Sequence, residues 1–486
     1  ILAQAPACAA GRRARGPAST RAALGRVSAM DYVSCSGCKR RRTIMQVVVK
    51  PSRVGDRQEV PVTCQDHFMG QLPIFASGFP AYCFGFTKCP DPKALIAGLA
   101  EALSTWRVFA GRFNADGTAI ILGDEGVPFT VREAEAPISE EEAVSVCADW
   151  RAADRVMRGQ EPPMTVMLFR VPSGGGILAI CRSHGVADGA TFMTFVTDWS
   201  AAVAGKPLEA LQLDHSVYEY EGSSEEAIAW ASESTGRPVG LKSAFTVAKM
   251  KAVMRLAVRF DLWRLALGGS VQRRPRLLLT DAELAAIKDR ASKGLRSVPW
   301  ITTQEALFAH LLLELPAFFE TGPRVGLLAF LDGKRFLGEA GKRLVSGTCV
   351  ISKDFVFDIT GKSLSSFAEE LHVAFEAFKG EAAKKELLMV HGYAKHMVDV
   401  PVGPPNLWRL KDCDYKLCLN NQSKFPLPDF GSGHATWANS SSGPSLLLPR
   451  RGGVTILFQT SSVPGCTGDR LPEALEARLR FGGARP

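Results

Sequence analysis

Six consecutive residues, His184-Gly185-Val186-Ala187-Asp188-Gly189, place an imidazole and a carboxylate four positions apart. A neutral imidazole titrates near the usual working pH and can take a proton from an attacking hydroxyl or amine, so the histidine suits a general base. The carboxylate suits either a partner in that chemistry or a brace for the loop. Two elements must position the pair. Upstream, Ile177-Leu178-Ala179-Ile180 reads as a fully buried strand bounded by the Gly174-Gly175-Gly176 turn. Downstream, Phe192, Phe195, Val196, Trp199 and Val203 fall on one face of a helix. The loop between them is short and held at both ends.

A His-x-x-x-Asp spacing arises by chance in long chains, and the rest of this chain decides its meaning. Asp429-Phe430-Gly431-Ser432-Gly433 lies far downstream. Between and before the two motifs stand Trp106 to Phe113 with its Ala110-Gly111-Arg112 turn, Gly123 to Phe129, Thr302-Thr303-Gln304-Glu305-Ala306-Leu307, and Asp332-Gly333-Lys334-Arg335. In this order, from about Val47 to the end, they resemble the BAHD acyltransferases, whose signatures are His-x-x-x-Asp mid-chain and Asp-Phe-Gly-Trp-Gly near the C-terminus.

The resemblance implies an α/β fold of two chloramphenicol-acetyltransferase-like layered domains with a channel between them. It implies an acyltransferase of secondary metabolism, moving an acyl group from a coenzyme A thioester to a hydroxyl, or less commonly an amine, of a small-molecule acceptor. His184 would be the general base, and no Gly-x-Ser-x-Gly elbow supplies a covalent nucleophile. Acyl-coenzyme A would be a co-substrate, with no permanently bound cofactor and no metal. Asp188, with Gly189, would support the loop through an ion pair to the arginine of an Asp-Gly-Arg turn. Here that position is Lys334, with Arg335 beside it, and a lysine lacks the bidentate fork. The oxyanion needs a fixed donor. The family's Thr-Ser-Trp or Asn-Ser-Trp segment corresponds to Asn420-Asn421-Gln422, so Asn420 and Gln422 are the candidate donors. Asp429 is expected to be structural, and Ser432 stands where the family has tryptophan.

Two other readings compete. A condensation domain of peptide synthesis shares the His-x-x-x-Asp-Gly loop and uses a carrier-protein thioester, but it usually has a second histidine where this chain has Ser183. An inactive relative serving as an interaction subunit would not need the intact His184 and Gly189.

Composition fits a globular enzyme. The 486 residues are 46% hydrophobic and 22% charged, enough for two or three cores. No apolar run is long enough for a transmembrane helix; Val325 to Leu331 reads as a buried strand. The net charge of +9 suggests a polyanion partner until it is located. Nine basic residues and one acid precede Met45, a balance of +8 that leaves +1 for the rest, so nucleic-acid binding is excluded. Residues 1–44 are expected to be a disordered basic leader outside the fold. The sequence opens on Ile1, which suggests a start at Met30 or Met45, and the Ala, Arg and Ser enrichment resembles a transit peptide. The expected location is cytoplasmic, or plastid if that leader is a transit peptide, and the expected state is a monomer. Cys35-Ser36-Gly37-Cys38 has no second pair for zinc, so the twelve cysteines read as free thiols.

The body divides into an N-terminal acyltransferase domain (45–205), a crossover segment (206–274) and a C-terminal domain (275–486). Gln46 to Val49 reads as a strand, Leu95, Leu99 and Leu103 mark a helix, and Met164 to Val171 forms a hairpin with the His184 strand. Ser223 with Glu226, and Thr302 with Glu305, have capping-box spacing. Pro275 to Leu279 restarts the strands, and Leu364, Phe367, Leu371, Phe375 and Phe378 form a helical core stripe. Strands at Val325 to Leu331, Cys349 to Phe357 and Val454 to Phe458, and a helix at Pro472 to Leu479, complete the second layer.

Overall fold

The computed structural model describes residues 41–481 apart from 64, 67–80, 136–137, 148–154, 157, 212, 214, 216–219, 244–273, 339–346, 397–409, 411, 441–443 and 467. In chain order the N-terminal half runs β1 (Arg41–Val49), β2 (Gln58–Pro61), β3 (Ala81–Phe86), α1 (Pro92–Thr105), β4 (Arg112–Phe113), β5 (Ala119–Leu122), β6 (Val127–Ala134), α2 (Glu140–Cys147), β7 (Met164–Arg170), β8 (Gly176–Arg182) and α3 (Gly189–Val203). After α4 (Ser224–Thr235) come β9 (Arg276–Thr280), α5 (Asp281–Ser292), α6 (Thr303–Phe318), β10 (Arg324–Asp332), β11 (Val350–Asp358), α7 (Leu364–Ala377), α8 (Glu381–Lys395), β12 (Tyr415–Asn421), β13 (Trp437–Ser440), β14 (Ser445–Arg450), β15 (Gly453–Leu457) and α9 (Glu473–Phe481).

Twelve strands form one mixed sheet in the order β1-β6-β7-β8-β3-β13-β14-β12-β10-β11, with β15 and β9 branching from β14. The β7–β8 hairpin and the fully buried β8 match the alternation-free apolar run in the sequence. Helices cover the sheet and bury two large cores. One is built from residues of the N-terminal half, centred on Trp106, Phe109, Phe192, Phe195 and Trp199; the other gathers β9–β12, β15 and their helices. Phe430, Ala435 and Ala438 come from far downstream yet pack in the first core. They arrive with β13, which pairs antiparallel with β3, Trp437 opposite Gly85 and Ser440 opposite Tyr82. A Cβ at Gly85 would lie 2.1 Å from the Trp437 indole, so only glycine fits beneath that ring. The two halves thus share one sheet.

Both capping boxes form. Ser223 and Thr302 each accept from the backbone N–H three residues on, and Glu226 and Glu305 reach back to the cap residue. One boundary needs correction: Arg41 to Ile44 lie in β1 and not in a leader, because Arg41, Arg42 and Thr43 pair with Ala134, Glu133 and Arg132 of β6 before a bulge at Ile44. Residues 1–40, including Cys35 and Cys38, and much of the crossover lie outside the described residues. Among the described residues no helix is long and apolar enough to cross a membrane.

Candidate active site

His184 follows the last residues of β8 in a tight turn that ends where α3 begins. The turn is closed from within. The Arg182 guanidinium Nη1 donates to the Ala187 carbonyl at 2.6 Å, and the Gly185 N–H donates to Ser183 Oγ at 3.1 Å. Ser183 N–H is in turn fixed on the Pro163 carbonyl at 2.7 Å. Arg182 is 1% exposed and lies over the Phe192 ring at 4.8 Å, with the Tyr82 ring 5.6 Å away. Cation–π contact and the carbonyls of Ala187 and Ser183, the latter at 3.4 Å, hold its charge in the interior.

The His184 imidazole is partly buried, and its Nδ1 is sealed from solvent with no hydrogen-bond partner. Burial, reinforced by the nearby Arg182 charge, pushes its pKa down from 6.5 to about 4. Asp188 opposes this only weakly. The imidazole is therefore neutral at physiological pH and able to accept a proton.

Asp188 has a different task. It is the N-cap of α3: its Oδ1 accepts from Thr191 N–H at 2.7 Å, and its Oδ2 accepts from Cys349 N–H, in the C-terminal half, at 2.9 Å. Burial alone would raise its pKa, but Lys334 and these two N–H groups outweigh burial and hold it below the usual carboxylate range. The expected ion pair takes an altered form. The Lys334 ammonium donates to the hydroxyl of Thr191, whose own Oγ1 donates to the Gly347 carbonyl at 2.9 Å. Arg335 does not take over the pairing: its side chain is 76% exposed and sits 3.5 Å from Asp332. Asp332 Oδ1 also accepts from Lys334 N–H at 3.2 Å.

Gly189 opens α3 under Gln422. A Cβ there would come 3.0 Å from Gln422 Nε2, so the glycine lets that amide approach the loop. Gln422 is buried, and its amide exchanges hydrogen bonds with Tyr82 Oη at 3.1 and 3.2 Å. Asn420 is half-buried on β12 beside β14. Asp429 lies at the opposite end of α3, where its N–H is hydrogen-bonded to Ser200 Oγ at 3.2 Å and its Oδ1 accepts from Gly431 N–H at 2.9 Å. Asp188 and Ser200 are twelve positions apart along α3, about 18 Å. Next to Asp429, the Phe430 ring packs 4.9 Å from Trp199 in the first core.

Three positions near the loop were not singled out by the sequence: Arg182, Tyr82 and Thr348. A lone charge closing the run Gly-Ile-Leu-Ala-Ile-Cys-Arg was a visible signal for Arg182. Tyr82 and Thr348 carried none, because each reaches the loop through tertiary contact.

Glu305, His372 and Glu376 bring one ligand atom each within 4.8 Å of one another. Their donors are already used: Glu305 completes the Thr302 cap and pairs with His372 Nδ1 at 3.2 Å, while Glu376 pairs with Lys379. This is a hydrogen-bonded contact between packed helices. A cleft of about 570 Å³ lined by Phe86, Glu140, Arg276 and Trp437 opens at the Gly176 end of β8, a strand's length from His184, and holds none of these site residues.

Comparison with known proteins gives the same direction. Residues 42–233 match the model described as Transferase family. Akuammiline synthase 1 of Alstonia scholaris is 32% identical over 130 residues, 25% of this chain and 30% of that protein. Agmatine coumaroyltransferase-1 of Hordeum vulgare is 29% identical over 133 residues, 26% and 30%. The match spans under a third of these curated relatives. Vinorine synthase superposes over 86% of this chain and 94% of its own with TM-score 0.55 at 14% identity. TRI101 of F. graminearum, complexed with coenzyme A and T-2 mycotoxin, covers 83% and 96% with TM-score 0.59 at 15% identity. These likenesses establish the two-domain layered α/β fold.

Proposed function

We propose, from the match of residues 42–233 to the Transferase family model and the resemblance of the motifs to those of the BAHD acyltransferases, that the chain transfers an acyl group from a coenzyme A thioester to a small-molecule hydroxyl, or less commonly an amine, with His184 as general base. One observation carries the reading. The loop presents a neutral imidazole at the end of a buried strand while both oxygens of the neighbouring carboxylate are occupied by backbone N–H groups, so base and brace are separate. A relative named for coumaroyl transfer and a structural neighbour complexed with coenzyme A support the acyl-thioester chemistry.

In this mechanism the acceptor oxygen attacks the thioester carbonyl as its proton passes to the imidazole. The tetrahedral oxyanion then expels the thiolate, the C–S bond breaks, and the imidazolium proton goes to sulfur. Gln422, held by Tyr82 beside Gly189, is the proposed oxyanion donor, with Asn420 the second candidate. Such a base contributes roughly 10² to 10⁴ in rate.

The test is thiol release from a panel of acyl-coenzyme A thioesters with alcohol and amine acceptors. The parent should turn over at least one pair, and His184→Ala should lose about 10²-fold or more in kcat. A His184→Ala variant as fast as the parent refutes the catalytic role. Silence of the parent across the panel, with turnover of a carrier-protein thioester, would favour condensation chemistry.

A further inference from the structure

We infer that Thr348 and Asp66 are positioning residues for His184, through which the C-terminal half sets the aim of the base; the inference rests on His184 being that base. Gly347 to Val350 lead into β11, and N-terminal side chains take up their backbone groups one after another. Thr191 Oγ1 donates to the Gly347 carbonyl, Thr348 N–H donates to Asp66 Oδ1 at 2.9 Å, and Cys349 N–H donates to Asp188 Oδ2. The Gln65 amide then brackets Val350, accepting from its N–H at 3.0 Å and donating to its carbonyl at 2.7 Å.

Among these contacts one reaches the histidine itself. Thr348 Oγ1 donates to the His184 carbonyl at 3.3 Å. That carbonyl belongs to the peptide following His184, so holding it fixes the backbone angle that directs the Cα–Cβ bond and the ring. Thr348 is held from behind by Asp66, which is 1% exposed and whose Oδ2 accepts from Thr63 Oγ1 at 2.7 Å and Thr63 N–H at 3.2 Å. The relay Thr63 to Asp66 to Thr348 to the His184 carbonyl is a chain of direct hydrogen bonds across the two halves. Asp188 and Gln65 grip the adjoining residues without touching that peptide. A base displaced by about 1 Å loses about 10²-fold in rate, so the relay should act on kcat and leave substrate binding alone.

Thr348→Val removes the hydroxyl and keeps both volume and the N–H to Asp66. Its kcat should fall about tenfold or more with KM for both substrates within about twofold. Thr348→Ser should restore kcat to near the parent. Asp66→Asn offers one acceptor oxygen where three donors converge and should resemble Thr348→Val. Gln65→Ala is the comparison: it loosens Val350 and lowers Tm, with a smaller fall in kcat at equal Tm loss. Hydrogen exchange of amides 183–189, measured without substrate, should speed up in Thr348→Val and not in Thr348→Ser. Parental kcat and exchange in Thr348→Val, or equal impairment of the serine variant, overturns the inference. If the parent turns over no thioester, the proposed function falls, and the exchange measurement still decides whether Thr348 holds the loop.

Discussion

Replacing Arg182 with methionine tests whether the protonation state of His184 is set as the geometry indicates. Methionine keeps an unbranched chain against Phe192 and Tyr82 and removes the charge. In the parent, burial first and Arg182 second carry the imidazole from 6.5 to about 4. Arg182 is the second of the two lowering influences, so removing its charge should move the acid limb of kcat/KM to higher pH. The sign follows from the base working when neutral: activity rises with pH through the free-protein pKa, so the parent keeps its activity well below pH 6.5 and Arg182→Met loses it earlier on acidification. Stability follows the same linkage. A histidine whose folded pKa is depressed contributes stability above its unfolded pKa and loses it as pH falls toward about 4, at no more than about 1.4 kcal/mol per pH unit. The assay is kcat/KM from pH 4 to 8, followed by loss of thioester absorbance, with circular dichroism of both proteins at each pH. An acid limb near 6.5 in the parent, or an unmoved limb in a folded Arg182→Met, refutes the reasoning.

Three further outcomes are expected. Asp188→Asn keeps one acceptor oxygen for two backbone donors, Thr191 and Cys349, and turns an amide N–H toward the other; denaturant unfolding should show a loss of about 1–3 kcal/mol together with lower kcat. Lys334→Met leaves burial as the dominant influence on Asp188, whose stability contribution is lost as pH falls through its folded pKa, so acid unfolding should begin at higher pH; Arg335→Ala, losing an exposed pair, should stay within about 0.5 kcal/mol of the parent, and equal effects would contradict the placement. Phe430→Ala empties a core site beside Trp199 and should cost about 3–5 kcal/mol by chemical denaturation, whereas Asp429→Ala should cost about 1 kcal/mol; the reverse order would show that the acid carries the motif.

The local parts of this site were legible because local rules produce them. An uninterrupted apolar run gave β8, the period of Phe192, Phe195 and Trp199 gave α3, and serine or threonine three residues before glutamate gave two helix starts. What could not be read was everything set by the shared sheet. Nothing in Trp437 to Ser440 announces that it pairs with Ala81 to Phe86 some 350 residues earlier, since short strands lack a partner signature. The same applies to Asp66 and Thr348, which lie 282 positions apart and meet at 2.9 Å. Arg41 to Ile44 were misread for a related reason: a basic, leader-like composition masked a cross-strand pairing that brings Arg42 opposite Glu133.

The substitution of lysine for the expected arginine at position 334 follows from how Asp188 is held. A guanidinium fork gains over an ammonium when two carboxylate lone pairs are free to receive its parallel N–H groups. Here each oxygen already accepts one backbone N–H, from the α3 cap and from Cys349, so the orientation of the carboxylate is fixed without a fork and only its remaining lone pairs face a cation. What Asp188 still needs is charge, because burial opposes its ionisation and Arg182 is occupied with the Ala187 carbonyl. A point charge on Thr191 supplies that field without displacing either N–H. Geometry at this site comes from the backbone of residues 347–350 and charge from Lys334. Lys334→Arg should therefore leave Tm and kcat near the parent, while Asp188→Asn, which retains the lysine, should not. If arginine raised Tm by several degrees, the backbone bonds would not be what fixes the carboxylate and this division of labour would be wrong.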